Sequence, residues 1–289
     1  MGLLTMLILA GLFTGTVIGT LILLTTGSSS GNAVVDPMEQ SVLSLQSVQF
    51  VTAVFTFLIP ALCTAWLCSN RPKEFLNVRA FPGIGLLLLV CITTLLLSPM
   101  VSLTGYFNSQ MQLPESLSGL EAWMKSAEEL ANSLIRKIVS EKGWGMFLVN
   151  LFVIAVVAGV TEEFLFRGAL FHILGQKINN HHVVIWLVAI LFSAIHFQFY
   201  GFVPRMILGA YLGYLIYWTK NIWIPVFAHF FHNAIAFIGM SNDSLKDNAI
   251  FADEIAPEDI GWLSTTTCIC LIAFFFCTKI VKKKLKAKS

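Results

Sequence analysis

Glu162, Glu163 and Arg167 sit between Gly159 and Gly168 in a long apolar run, where a membrane protein would otherwise place lipid-facing or core side chains. A charged side chain at mid-bilayer costs about 2.5–3.5 kcal/mol on insertion scales, so stability does not explain the group. Helical geometry divides it. Adjacent residues point about 100° apart, so the two glutamates cannot share one task. Glu163 and Arg167 are four apart with the acid first, the favoured order for an ion pair. That pairing would offset much of the burial cost and leave Glu162 to face elsewhere. A carboxylate without a cation, in a medium of low dielectric, is suited to general acid–base work. A purely structural charge cluster is the alternative, although acids inside spans are functional sites by default.

Two later apolar runs carry groups that could meet Glu162. Phe192 and His196 are one turn apart on one of them, and His229 and Asn233 are one turn apart on another, with His232 near that face. At 1.5 Å per residue, Glu162 and His196 come out roughly 20 Å from one end of their spans, and His229 and Asn233 roughly 12–18 Å. His172, His181 and His182 fall near span ends and read as interfacial. Glu162 and Glu163 are the only acids expected inside a span, so a two-aspartate mechanism lacks its residues. Ser193 is three residues from His196 on the same helix and Ser241 lies at a span end, so neither has the surroundings of a nucleophile.

The elements that must position these groups follow from composition. Of 289 residues 56% are hydrophobic and only 12% charged, with 24 phenylalanines, whereas soluble domains run near about 25% charged. The chain reads as an all-α, polytopic membrane protein of about eight transmembrane helices with one amphipathic surface helix. Spans are expected over 3–25, 48–68, 83–104, 146–175, 183–200, 203–219, 221–240 and 260–278. The segment 105–145 mixes charges with apolar residues at helical spacing and reads as a surface helix. It serves either as a connector or as a gate for substrate. Gly11, Gly15 and Gly19 form a flat strip suited to close helix packing. Gly27 to Gly31 matches G-x-S-x-G in form, but it follows a span and lacks the strand–turn–helix setting that motif needs, so it reads as a loop. The cysteines Cys63, Cys68, Cys91, Cys268, Cys270 and Cys277 read as packing residues.

Charge is segregated. Arg71, Lys73, Arg79, Lys177, Lys220 and the lysines from Lys279 onward fall on one side of an eight-span arrangement. The acidic loop 241–259, with Asp243, Asp247, Asp253, Glu254, Glu258 and Asp259, falls on the other. The positive-inside rule then puts both termini in the cytoplasm, and the compact loops suggest a bacterial inner membrane. Three regions result: 1–145, with three spans and the surface helix; 146–240, the polar core; and 241–289, with the acidic loop, last span and basic tail.

Glu162-Glu163-x-x-x-Arg167, Phe192-x-x-x-His196 and His229-x-x-x-Asn233, the last preceded by Trp223-x-Pro225, together resemble the three-motif signature of the CAAX prenyl protease and bacteriocin-processing (CPBP) family of intramembrane endopeptidases. The likeness spans Ala155 to Met240. It implies that Glu162 and His196 position and activate water, that His229 and Asn233 stabilise the oxyanion, and that Glu163, Arg167 and Phe192 support the site. Zinc on Glu162, His196 and His229 is a conceivable ligand set. The absence of H-E-x-x-H favours a glutamate mechanism with no metal or other cofactor. The expected partners are the bilayer and a membrane-associated protein or peptide, such as a lipidated C-terminus or a leader peptide, with no nucleic acid. A non-catalytic partner-binding protein, as in bacteriocin immunity, and a proton-coupled transporter are competing readings. The second lacks paired, interrupted helices in two matching halves.

Overall fold

The computed structural model describes residues 1–26, 36–242, 244–245, 250 and 255–286, with side chains as far as 280. Gly27 to Gly31, and Asp243, Asp247, Asp253 and Glu254 of the acidic segment, lie outside the described residues. Among those described every regular element is helical, which makes this an all-α, multi-pass membrane protein. Its main helices are α1 (Gly2–Thr26), α2 (Val42–Cys68), α3 (Ile84–Ser109), α4 (Ser118–Ser140), α5 (Trp144–Gly175), α6 (His181–Ala194), α7 (Phe202–Thr219), α8 (Trp223–Ser241) and α9 (Ile260–Lys286).

Among the described residues six helices are long and apolar enough to cross a bilayer: α1, α2, α3, α5, α8 and the segment Pro257–Ile280 that includes most of α9. The helices α6 and α7 occupy two further expected spans, but the first has only 14 residues. It rises about 21 Å against a hydrocarbon core of about 30 Å. The fifth span expected over 183–200 therefore ends early, at Ala194, and His196 lies in the turn beyond it rather than on the helix. The aromatic and apolar residues from Phe192 to Tyr200 conceal that break. Phe197 takes a left-handed φ of 53°, and the Ser193 hydroxyl donates to the Phe202 carbonyl at 2.7 Å, closing the hairpin.

Helix α2 begins six residues before the expected 48, with Ser41 accepting from the Ser44 N–H as its cap. The polar Gln46 masked this start. It is buried and donates to the Asn150 side chain at 2.8 Å, while Asn150 donates to the Ile138 carbonyl at 3.1 Å. That chain ties α2, α5 and α4 together by polar contact, as membrane helices are commonly joined. The glycine strip on α1 packs on α2 as expected: a Cβ at Gly11 would overlap the Phe55 carbonyl, and one at Gly15 would come 3.2 Å from Thr52 Cα.

One end of the bundle gathers the basic loops. The Ile222 N–H donates to Asn77 O at 2.9 Å and the Asn221 amide to Ala80 O at 2.8 Å. His181 stacks on Tyr217, and Phe75 packs on His172 with ring centroids 4.1 Å apart. Burial, with Arg79 adding its repulsion, holds the Lys220 ammonium below its usual range. The antiparallel packing of α1 on α2 brings the start of α1 to this end, where Leu4 shares a core with Ala65 and Phe75. Helix α4 and the α6–α7 turn lie at the other end. There Asn108, near the end of α3, donates to Phe199 O at 2.8 Å and accepts from the Val203 N–H at 2.8 Å.

Candidate active site

Helix α5 carries the charges and is not a uniform α-helix. Wider π turns over Phe152–Val157 and Phe164–Leu170 bracket Glu162 and Glu163. Such turns interrupt the i→i−4 ladder and often occur at functional sites. Here they release a carbonyl: Ile154 O accepts from the Asn233 amide of α8 at 3.0 Å. Gly159, one turn ahead of the glutamates, lets α8 approach closely. A Cβ there would lie 3.1 Å from Phe230 N and 3.3 Å from Val226 O.

The two glutamates face different surroundings, as their angular offset requires. Glu163 and Arg167 have no solvent exposure and pair at 2.7 Å. The other arm of the guanidinium donates to Gly209 O of α7 at 2.8 Å, and its carbon lies 4.5 Å from the Phe192 ring centroid, within cation–π range. The same Glu163 oxygen meets His229 Nδ1 at 2.9 Å. Sequence reasoning paired Glu163 with Arg167 alone. In the structure it also fixes His229, whose Nε2 lies 4.0 Å from Glu162 Oε2. One imidazole thus stands between the two carboxylates.

Glu162 is the unpaired member. Its Oε2 is buried without a hydrogen-bond partner, and it lines a cavity of about 280 Å³ with Phe192, His196, Arg205, His229, His232 and Asn233. The four residues expected to meet do line one cavity. Phe192 packs against both imidazoles, with centroids 5.3 Å from His196 and 5.8 Å from His229.

Proton positions follow from the partners. His196 Nδ1 lies 2.8 Å from the Phe192 carbonyl. A carbonyl only accepts, so that nitrogen carries the proton and Nε2 is left as an acceptor. His229 likewise donates from Nδ1 to the Glu163 carboxylate. It donates through Nε2 only when that nitrogen is protonated as well. Asn233 spends one N–H on Ile154 and keeps the other.

Among the described residues no three His, Cys, Asp or Glu side chains group so as to hold a metal ion, and Phe192 packs against both imidazoles of the set Glu162, His196 and His229. His232 lines the same cavity, whereas His172, His181 and His182 lie elsewhere: His182 Nδ1 meets the Tyr214 hydroxyl at 2.7 Å at the basic end. Ser193 is spent on the α6–α7 turn.

Sequence reasoning missed Arg205. Its Nη2 donates to Gln198 Oε1 at 2.7 Å, and its guanidinium lies on Gly201, where a Cβ would come 2.9 Å from Nη2. The signal was present in the chain, because a cation inside the expected span 203–219 is the same anomaly that drew attention to Arg167. The π turns left no trace in side-chain pattern. Beyond Gly201 and Pro204, which line both, opens a second cavity of about 740 Å³ walled partly by Lys125, Glu128 and Arg136 of α4.

Residues 144–235 match the family model described as type II CAAX prenyl endopeptidase Rce1-like. The uncharacterized protein YpbD of Bacillus subtilis (strain 168) is 26% identical over 134 residues, which cover 43% of this chain and 64% of that protein. The chain thus spans under two thirds of that relative's length. No solved structure matches.

Proposed function

We propose that this chain, whose residues 144–235 carry the Rce1-like match, is an intramembrane endopeptidase that hydrolyses a peptide bond of a membrane-associated protein or peptide. The observation that carries the reading is the Glu162 carboxylate, left without a hydrogen-bond partner at Oε2 in a cavity lined by His196, His229 and Asn233. The type II CAAX name of the matched family supports protease chemistry. The residues supply the parts.

Water held by Glu162 and the acceptor nitrogen of His196 loses its proton to the Glu162 carboxylate as its oxygen attacks the scissile carbonyl carbon. The carbonyl oxygen becomes an oxyanion. Asn233 donates to it through its free N–H, and His229 through Nε2 in the protonated form. Collapse of the tetrahedral species breaks the C–N bond, and Glu162 returns its proton to the departing amine. Removing one oxyanion donor costs about 10²–10³ in kcat in well-studied proteases, so Asn233 is a full member of the site. Glu163 holds His229 in register and is itself held by Arg167. The mechanism as written uses no metal.

Orientation follows from charge. The start of α1, the end of α9 and the loops holding Arg71, Lys73, Arg79, Lys177 and Lys220 gather at one end, which the positive-inside rule assigns to the cytoplasm. The α6–α7 turn and α4 then face outward from a bacterial inner membrane. An even number of crossings, whether six or eight, gives the same result.

The test is cleavage of a membrane-tethered peptide in proteoliposomes by wild type, Glu162→Ala and His196→Ala. General acid–base groups contribute about 10²–10⁴-fold, and losses of that size are expected in both variants. Equal rates in all three would sink the reading and favour a protein that binds a partner without cutting it.

A further inference from the structure

The endopeptidase reading leaves Arg205 without a task. Its surroundings differ from those of Arg167, which is paired with Glu163. Among the described residues no carboxylate lies within 4.0 Å of it: both recorded hydrogen bonds go to Gln198, to Oε1 at 2.7 Å and to the main-chain oxygen at 3.5 Å. A guanidinium has five N–H donors in a rigid fork, so donors remain unspent. Holding a cation in a half-buried place without an anion is costly, and Gln198 and Gly201 both maintain it there. A Cβ at position 201 would come 2.9 Å from Nη2, the movable end of the side chain.

The location gives these spare donors a meaning. Arg205 lines the Glu162 cavity, and Gly201 beneath its guanidinium lines both that cavity and the larger one beside α4. It therefore stands at the junction between them. The larger cavity, at about 740 Å³, is in the range of clefts that enclose ligands, about 300–1,000 Å³. Two more polar atoms of its wall residues are buried and unpartnered: the Tyr200 hydroxyl and Glu128 Oε2. Glu128 and Glu162 line the two cavities on either side, and neither closes on it. A planar fork with spare donors matches a carboxylate better than any other group of a peptide.

We propose that Arg205 is the specificity-determining residue of this site and binds a carboxylate of the peptide substrate, which enters through the cavity between α4 and the α6–α7 turn. This rests on the endopeptidase reading. The carboxylate is that of a free C-terminus or of an acidic side chain beside the cleaved bond. With it seated on Arg205, the neighbouring peptide bond lies in the smaller cavity against Glu162.

The experiment uses a mixed-sequence, lipid-anchored peptide library in four matched forms, with a free or an amidated C-terminus and with internal Glu or Gln. Binding to the full chain carrying Glu162→Ala is measured in zwitterionic nanodiscs, with Arg205 intact and as Arg205→Gln and Arg205→Lys. The carboxylate form of one pair should bind about tenfold or more tightly than its amide, the scale of a charge-assisted hydrogen bond. Arg205→Gln should abolish that ratio and Arg205→Lys should keep part of it. Which pair shows the ratio identifies the source of the carboxylate. A merely structural Arg205 would weaken acid and amide forms alike and leave the ratio standing, which overturns the proposal. No ratio with Arg205 intact also overturns it, as does a ratio that disappears in anionic lipid, which would assign the guanidinium to a headgroup phosphate. Turnover by the chain with Glu162 intact is followed in parallel. Selective binding without any cleavage would remove the endopeptidase reading and leave the carboxylate site in place.

Discussion

Two charged clusters lie side by side in this bundle, and they are built on opposite terms. In the first, Glu163, Arg167 and His229 share hydrogen bonds of 2.7 and 2.9 Å and have almost no exposure. In the second, Glu162, His196 and Arg205 line a cavity, and none is ion-paired within hydrogen-bond distance. The sealed cluster pairs its charges with one another, with Glu163 Oε2 and Arg167 Nε left without hydrogen-bond partners, and holds three helices at fixed spacing. The open one keeps acceptors and donors unspent beside a space that a substrate can fill. Adjacent glutamates thus meet unlike surroundings through the direction each faces.

The comparison can be broken most forcefully at Arg167. Removing one partner of a buried pair costs about 3–5 kcal/mol, so Arg167→Ala should fall by that amount in denaturant or thermal unfolding. Glu162→Ala, for which loss of cleavage is expected, should unfold close to wild type. Similar losses in both variants would erase the distinction between the clusters. A smaller effect is expected at Gly159, which admits α8 and so brings His229 to Glu163. Overpacking usually costs about 1–3 kcal/mol, and Gly159→Ala should lose that much stability together with cleavage activity, as α8 is pushed away from the glutamates. An unchanged cleavage rate would show that this close approach is dispensable. The smallest effect, none at all, is expected on exhaustive chelation. Cleavage rate and metal content measured together check this, and a loss that added zinc restores would return Glu162, His196 and His229 to the role of ligands.

Much of this was legible in the residues because a membrane makes charge conspicuous. Glu162, Glu163 and Arg167 stood out on energetic grounds alone, and the i,i+4 spacing divided the pair correctly. Depth counted along the helices brought His196, His229 and Asn233 to the same region. The spans α1, α3 and α8 fell within a few residues of their expected bounds. What the chain concealed were features with no side-chain periodicity. The π turns of α5 alter backbone bonding without altering composition. The break after Ala194 interleaves Ile195, Phe197, Phe199 and Tyr200 with His196 and Gln198, so its large aromatic residues disguise the end of the helix. Gln46 looked like the outside of a span because its partner, Asn150, is more than a hundred positions away. Arg205 was visible and was passed over for want of a motif around it.

The shortness of α6 reaches beyond the protein to the lipid around it. Its lipid-facing side, with Val183, Trp186, Ile190 and Leu191 exposed, is about 9 Å too short for the hydrocarbon layer at 1.5 Å per residue. Bilayers answer such a mismatch by thinning locally. The headgroup region, with its water, is thereby drawn down toward the turn that carries His196. Hydrolysis consumes one water per bond, and a site sealed within thirty ångströms of hydrocarbon would be starved of it, with about 30 Å being the full core. A dimple beside α6 would keep it wet, and would present a bound peptide where the membrane is thinnest.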